Sequence, residues 1–160
     1  MKSKSSEPQT AEQGYHYSLR LLTGRDYTAV RIRNKLAARD ISGQDIETII
    51  VRLQEEGWLD DRRYARRFAE SALAEGRFYG PRLRLEMRRR GFSPEVVAEI
   101  LSPLLAERDE VPEVRQVLEK RYPGFCYSAA SDRDKRRVLA FLQRRGFGFP
   151  VIMQALRTDV

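Results

Sequence analysis

Met87-Arg88-Arg89-Arg90-Gly91-Phe92-Ser93-Pro94 reads as the end of one helix and the start of the next. Gly91 can take the left-handed conformation that closes a helix, and Phe92 folds back as the apolar contact of that turn. Ser93 and Pro94 then supply an N-cap and a first-turn proline. Val97, Ile100, Leu101, Leu104 and Leu105 follow at helical spacing. The same grammar occurs twice more. Leu36-Ala37-Ala38-Arg39-Asp40-Ile41-Ser42 precedes Ile46, Ile49 and Ile50, and Leu142-Gln143-Arg144-Arg145-Gly146-Phe147-Gly148 precedes Ile152, Ala155 and Leu156. Asp40 stands where the other copies have Gly, and Asp is among the few residues that tolerate the left-handed region. Upstream, Arg31 aligns with Arg82 and Arg137, and Ile32 with Leu83 and Val138. A recurrence of about fifty residues, each holding three amphipathic helices, predicts a tandem helical repeat. The expected fold is all-α, an elongated array of three three-helix units: 15–57, 58–107 and 108–160, behind a polar, disordered tail over 1–14.

Within the first unit, Tyr15 to Leu22 is expected to form a helix. Thr28 caps a second with Val30, Ile32, Leu36 and Ala37 inward, and Ser42 caps a third, with Asp45 placed for a capping box. In the second unit Asp60 is the N-cap, and Leu59 and Tyr64 have the spacing of a hydrophobic staple. Ala65, Phe68, Ala69, Ala72 and Leu73 form the buried stripe. Val111, Val114, Leu118 and Tyr122 open the third unit. A linker from Pro123 to Ala130 separates them from helices over 131–145 and 149–157.

The chain of 160 residues carries a net charge of +7, and that charge is localised. Arg62 to Arg90 holds ten arginines, no lysine and three acids, so the remaining residues balance to zero. A concentrated positive segment is what a polyanion or an acidic protein groove meets. On the helix after Asp60, Arg63, Arg66 and Arg67 lie opposite the apolar stripe. On the next, Arg82 and Arg89 lie opposite Leu83 and Met87, with Leu85 outward between them. Arginine's planar fork suits phosphate and carboxylate better than lysine does, and an outward Leu among arginines marks a contact. A solvated face, or burial of Leu85 between units, is the plainer alternative. Arg63, Arg66, Arg67, Arg82, Leu85 and Arg89 are the candidate binding residues.

No constellation for catalysis, cofactor or metal stands out. His16 sits beside the tail, Cys126 has no motif partner, and Asp60-Asp61 at a helix start reads as capping. One cysteine fits a reducing compartment, and no apolar run reaches the roughly 20 residues of a membrane span. A helix-turn-helix DNA reader is disfavoured because the third helices carry acids at their starts, Asp45 and Glu47 or Glu95 and Glu99. Sequence-independent nucleic-acid binding through the arginines stays open.

Gly57-Trp58-Leu59-Asp60-Asp61-Arg62-Arg63-Tyr64-Ala65 resembles the GYLDDxRFA signature of the bacterial RecX family. Tyr79-Gly80-Pro81-Arg82-Leu83-Arg84-Leu85-Glu86-Met87, followed by Arg89-Arg90-Gly91, is similar to that family's YGPxRIxxEL…RG element. Trp58 and Tyr64 stand where Tyr and Phe are commoner, and the start of the third unit matches least. The resemblance spans about Tyr15 to Leu156. It implies a cytoplasmic, monomeric, non-enzymatic modulator of the RecA recombinase, usually an inhibitor. Such a protein lies in the groove of the RecA–single-stranded DNA filament and modulates recombination, ATPase and co-protease activity in DNA repair and the SOS response. The family has no catalytic residues to carry over.

Overall fold

The structure, a computed structural model, describes residues 9–157. Its helices are α1 (Ala11–Gly24), α2 (Ala29–Ala37), α3 (Gly43–Glu55), α4 (Asp61–Ala74), α5 (Gly80–Arg89), α6 (Pro94–Ala106), α7 (Glu110–Arg121), α8 (Asp132–Arg145) and α9 (Phe149–Arg157). No strand occurs among the described residues. The helices fall into three consecutive groups of three, and in each the first helix packs against the third and the second against both. The all-α repeat read from the sequence is therefore the fold.

The local signals act as expected at most ends. Thr28, Ser42, Asp60, Ser93 and Ser131 each accept from the backbone amide three residues on, which satisfies a donor the helix leaves free. Gly91 and Gly146 sit at φ +94° and +108°, and Asp40 adopts the same region at φ 58°. After the two glycines, Phe92 N–H returns to the Met87 carbonyl and Phe147 N–H to that of Leu142. Phe92 is 1% and Phe147 3% exposed, so each turn also buries a ring.

Several expectations are corrected. The first helix begins at Ala11, not Tyr15, capped by a reciprocal box between Thr10 and Gln13. Residues 11–14 thus leave the expected tail, of which 1–8 lie outside the described residues. Gly14, the last residue of that expected tail, lies inside α1 and lets the helix approach Ile41 and Ile49: a Cβ there would sit 2.5 and 2.9 Å from their Cδ1 atoms. Val30 and Ala37 face solvent, and Val30 lies beside Gly91 instead of entering the core. Asp45 gives its amide to Ser42 without the reciprocal bond of a capping box. Leu59 and Tyr64 form no staple. Leu59 belongs to the core of the first unit, while Tyr64 packs edge-on against Phe92 at 4.9 Å in the second. The cause is the turn after α3, where Trp58 N–H and Leu59 N–H both return to the Leu53 carbonyl and draw Leu59 backwards.

The units meet end to end along their middle helices. The C-terminus of α5 abuts the N-terminus of α2. There the Thr28 hydroxyl donates to the Arg90 carbonyl at 2.9 Å, and an Arg31 guanidinium nitrogen donates to the Arg89 carbonyl at 3.0 Å. The C-terminus of α8 abuts the N-terminus of α5 in the same way, and Tyr79 N–H donates to the Arg145 carbonyl at 2.7 Å. Each junction sets the positive end of one helix dipole against the negative end of another. The second junction is also apolar. Tyr79 stacks on Phe147 at 4.2 Å, and one continuous core runs through the second and third units. The core of the first unit, built on Ile32, Leu36, Ile50 and Leu53, is separate.

Candidate partner-binding face

The motif Asp60-Asp61 splits into two roles. Asp60 caps its own helix, accepting from Arg63 N–H at 2.9 Å. Asp61 reaches across the junction and accepts from Ala29 N–H, the first amide of α2, also at 2.9 Å. Burial holds the Asp61 carboxyl above its ordinary pKa, opposed by that amide and by Arg33. The paired acids thus fix the first unit on the second and hold α4 so that its arginines point outward.

On the opposite side of α4, Ala65, Ala69 and Ala72 are fully buried and let α6 approach closely, while Phe68 and Leu73 fill the space beside them. The candidate arginines separate by partner. Arg63 donates to the Gly57 carbonyl at 2.9 Å. Arg67 pairs with Asp26 of the first unit. Arg66 is exposed and pairs with no acid among the described residues. On α5, Arg82 and Arg89 converge on one carboxylate, Glu86, at 2.8 and 3.1 Å. Leu85 stays 43% exposed on this face, so packing between units does not bury it. The arginines therefore form one subset around Glu86 and another along α4, and no hydrogen bond joins the two subsets among the described residues. The exposed Arg67–Asp26 pair contributes at most about 1 kcal/mol, so an incoming phosphate or carboxylate can replace it, whereas Glu86 is only 17% exposed and Arg82 Nε is buried.

The sequence reading omitted Arg84, which is exposed on α5 without an acidic partner among the described residues. Its signal was there in the Arg82–Arg89 run, but Leu85 directed attention to the neighbouring face. Arg90 belongs to the fold instead. Its guanidinium lies 4.3 Å from the Phe68 ring centre and donates to the Tyr64 hydroxyl at 3.3 Å, and its Nε is buried without a hydrogen bond. No group of three or more potential metal ligands clusters among the described residues, and none of their helices is long and apolar enough to cross a membrane.

Comparison with known proteins places this architecture. Residues 15–53 match the model of the first three-helix domain of RecX, and residues 110–156 match that of its third. A regulatory protein RecX of Trichlorobacter lovleyi is 43% identical over 140 residues, covering 88% of this chain and 91% of that protein. The chain belongs to the RecX family. A second RecX, from Thermus thermophilus, is 39% identical over 142 residues and 88% of each chain. The crystal structure of RecX from Lactobacillus salivarius superposes with a TM-score of 0.70, covering 92% of this chain and 94% of that one at 22% identity. Another RecX crystal structure gives 0.72 over 93% of this chain and 73% of its own. At such low identity the shared property is the fold.

Proposed function

We propose that this chain is a non-catalytic regulator, in the inhibitory sense, of a RecA recombinase. It acts as a monomer in the cytoplasm by lying in the groove of the RecA–single-stranded DNA filament. Its contacting face comprises Arg63, Arg66 and Arg67 on α4 with Arg82, Leu85 and Arg89 on α5. The observation that carries the reading is the 43% identity, over nearly the whole chain, to a protein named regulatory protein RecX. The arginine face supports it physically. A groove walled by protein carboxylates and floored by phosphates would exchange the weak Asp26 pair for bidentate contacts, and Leu85 would be the apolar anchor among them.

The test is ATP hydrolysis by RecA on single-stranded DNA with the chain titrated in. The expected result is a concentration-dependent fall in turnover, together with reduced strand exchange and co-protease activity. Turnover unchanged at severalfold molar excess over filament sites would reject the proposal. Arg66, with no acid to hold it, also favours a second reading, a sequence-independent nucleic-acid-binding array. Reversing Arg63, Arg66 and Arg67 to Glu separates the two. Loss of filament binding with bare-strand binding intact places protein on this face. Loss of both, with the salt slope reduced by roughly 0.7 for each phosphate no longer neutralised, places DNA there.

A further inference from the structure

A half-open cleft of about 280 Å³ lies where the end of α4 meets α7 and α8. This is close to the lower bound of small-ligand sites, roughly 300 Å³. Its floor is Tyr79, Val117 and Phe141. Tyr79 is 4% exposed, and its ring is fixed by the stack on Phe147. Its hydroxyl opens towards the cleft, 3.2 Å from where a Cβ on Gly76 would stand, and hydrogen-bonds to no group among the described residues. The ring is buried while the hydroxyl at its tip faces the cleft, where an entering ligand must hydrogen-bond it or leave it unpaired. Burial raises the hydroxyl pKa above the ordinary value.

The rim is cationic. Lys120, Arg121 and Arg145 line it, and none pairs with an acid among the described residues. Arg145 uses one nitrogen on the Gly76 carbonyl, which orients the rest of the guanidinium. The rim acid, Glu75, is occupied by Arg77 at 2.7 Å and by the Ser71 hydroxyl at 2.9 Å. A second groove shares Phe141 and Arg145 and continues past Phe78, Arg77 and Arg144. Positive charge and aromatic surface thus run outward from the cleft in one direction.

We infer that this cleft holds one nucleotide of a single-stranded nucleic acid, its base on the Tyr79–Phe141 floor and its phosphates on Lys120, Arg121 and Arg145. A flat ring with polar edges satisfies the Tyr79 hydroxyl and the nearby Gln116 amide, whereas an apolar peptide side chain would seal both off unpaired. Aromatic floor plus basic rim is the combination by which proteins take single strands without reading sequence. The neighbouring groove gives the next phosphates a path. The inference concerns bare strands and involves no recombinase, so its failure leaves the filament reading standing, and the reverse holds too.

The experiment is fluorescence anisotropy of a labelled twelve-residue thymidine oligonucleotide with the full chain across a salt series. Tyr79→Phe removes a hydroxyl that has no internal partner, so the melting temperature should not change. It should weaken binding about threefold to tenfold, the worth of one hydrogen bond, with the salt slope unaltered. Lys120→Ala with Arg121→Ala should lower the slope by roughly 0.7 for each phosphate left without its cation. On an oligonucleotide of the same length with abasic sites throughout, the Tyr79→Phe deficit should vanish. Thymidine monophosphate distinguishes sources. Tyr79-dependent competition assigns the site to the nucleotide itself, and competition by oligonucleotides only assigns it to the strand. Wild-type affinity in Tyr79→Phe, an equal deficit on the abasic strand, or a polyglutamate peptide competing with the same Tyr79 dependence would each overturn the inference.

Discussion

Replacing Gly146 by Ala tests whether the end-on junction is tight. The residue sits at φ +108°, and a methyl group there would lie 1.9 Å from the Tyr79 carbonyl oxygen and 2.7 Å from its carbon. Side-chain carbons essentially never approach below 3.0 Å, so the backbone of α5 must retreat by more than an ångström. That movement opens the 2.7 Å bond from Tyr79 to the Arg145 carbonyl and the stack on Phe147. Left-handed strain costs about 1–2 kcal/mol, overpacking about 1–3, and the bond and ring pair about 1 each. The terms overlap, and a net loss of about 4 kcal/mol is expected, or roughly 8–16 °C in melting temperature for a chain of this size. Gly57→Ala is the control, since at φ +77° a Cβ meets nothing within 4 Å. It should show the strain alone, about 1–2 kcal/mol. Gly91→Ala should fall between, because its Cβ meets the Thr28 hydroxyl at 2.7 Å, a side-chain atom that can yield. Thermal and urea unfolding followed by circular dichroism give the order. If Gly146→Ala is no less stable than Gly57→Ala, the junction does not couple the units as described.

Three further outcomes follow from the geometry. Asp61 has a folded-state pKa above its unfolded one, so folding takes up a proton between the two, and the wild type should gain stability relative to Asp61→Asn as pH falls through that window. Glu47, held down by Arg33, and Glu56, held down by Tyr15 and Arg52, act with the opposite sign, contributing stability above their unfolded pKa values that is lost on acidification; urea titrations of both chains from pH 7 to pH 3 read the difference, and a constant gap would refute the Asp61 assignment. Arg90→Ala should cost about 2 kcal/mol because its cation–ring interaction and buried stem are removed, whereas Arg66→Ala should stay within about 0.5 kcal/mol; equal effects in chemical denaturation would erase the distinction between packed and exposed arginines. Asp40→Gly should leave stability within about 1 kcal/mol, since relief of left-handed strain and loss of backbone restriction oppose each other; thermal melts that differ by much more would show a role for the carboxylate.

The fold was legible because its punctuation is local. Asp40-Ile41-Ser42, Gly91-Phe92-Ser93 and Gly146-Phe147-Gly148 carry turn chemistry that works within a few residues, and their recurrence fixes the repeat. Residues 11–14 were placed in the tail because their polar composition hides a helix start, and the packing role of Gly14 shows only when Ile41 and Ile49 are seen pressing on it. Leu59 was misplaced for a related reason, as spacing alone cannot say which of two neighbouring cores receives a side chain. The candidate face was half legible. Helical periodicity put Arg66, Leu85 and Arg89 outside, where they are. It could not reveal that Asp61 serves Ala29, 32 residues away, or that Tyr79 and Arg145 meet. Those partners lie in different repeats, and nothing in a single repeat encodes the register between two.

Asp40 occupies the position that Gly91 and Gly146 hold at the two junctions, but at the exposed C-terminus of α2, against which no other unit packs among the described residues. At each junction the bare α-carbon of glycine is what allows the next cap to come within bonding distance. A carboxylate at that point would instead occupy the approach and bring negative charge to a helix end that is already negative. The C-terminus of α2 is therefore a blunt end, which lacks the bare α-carbon that Gly91 and Gly146 offer to the caps set against them.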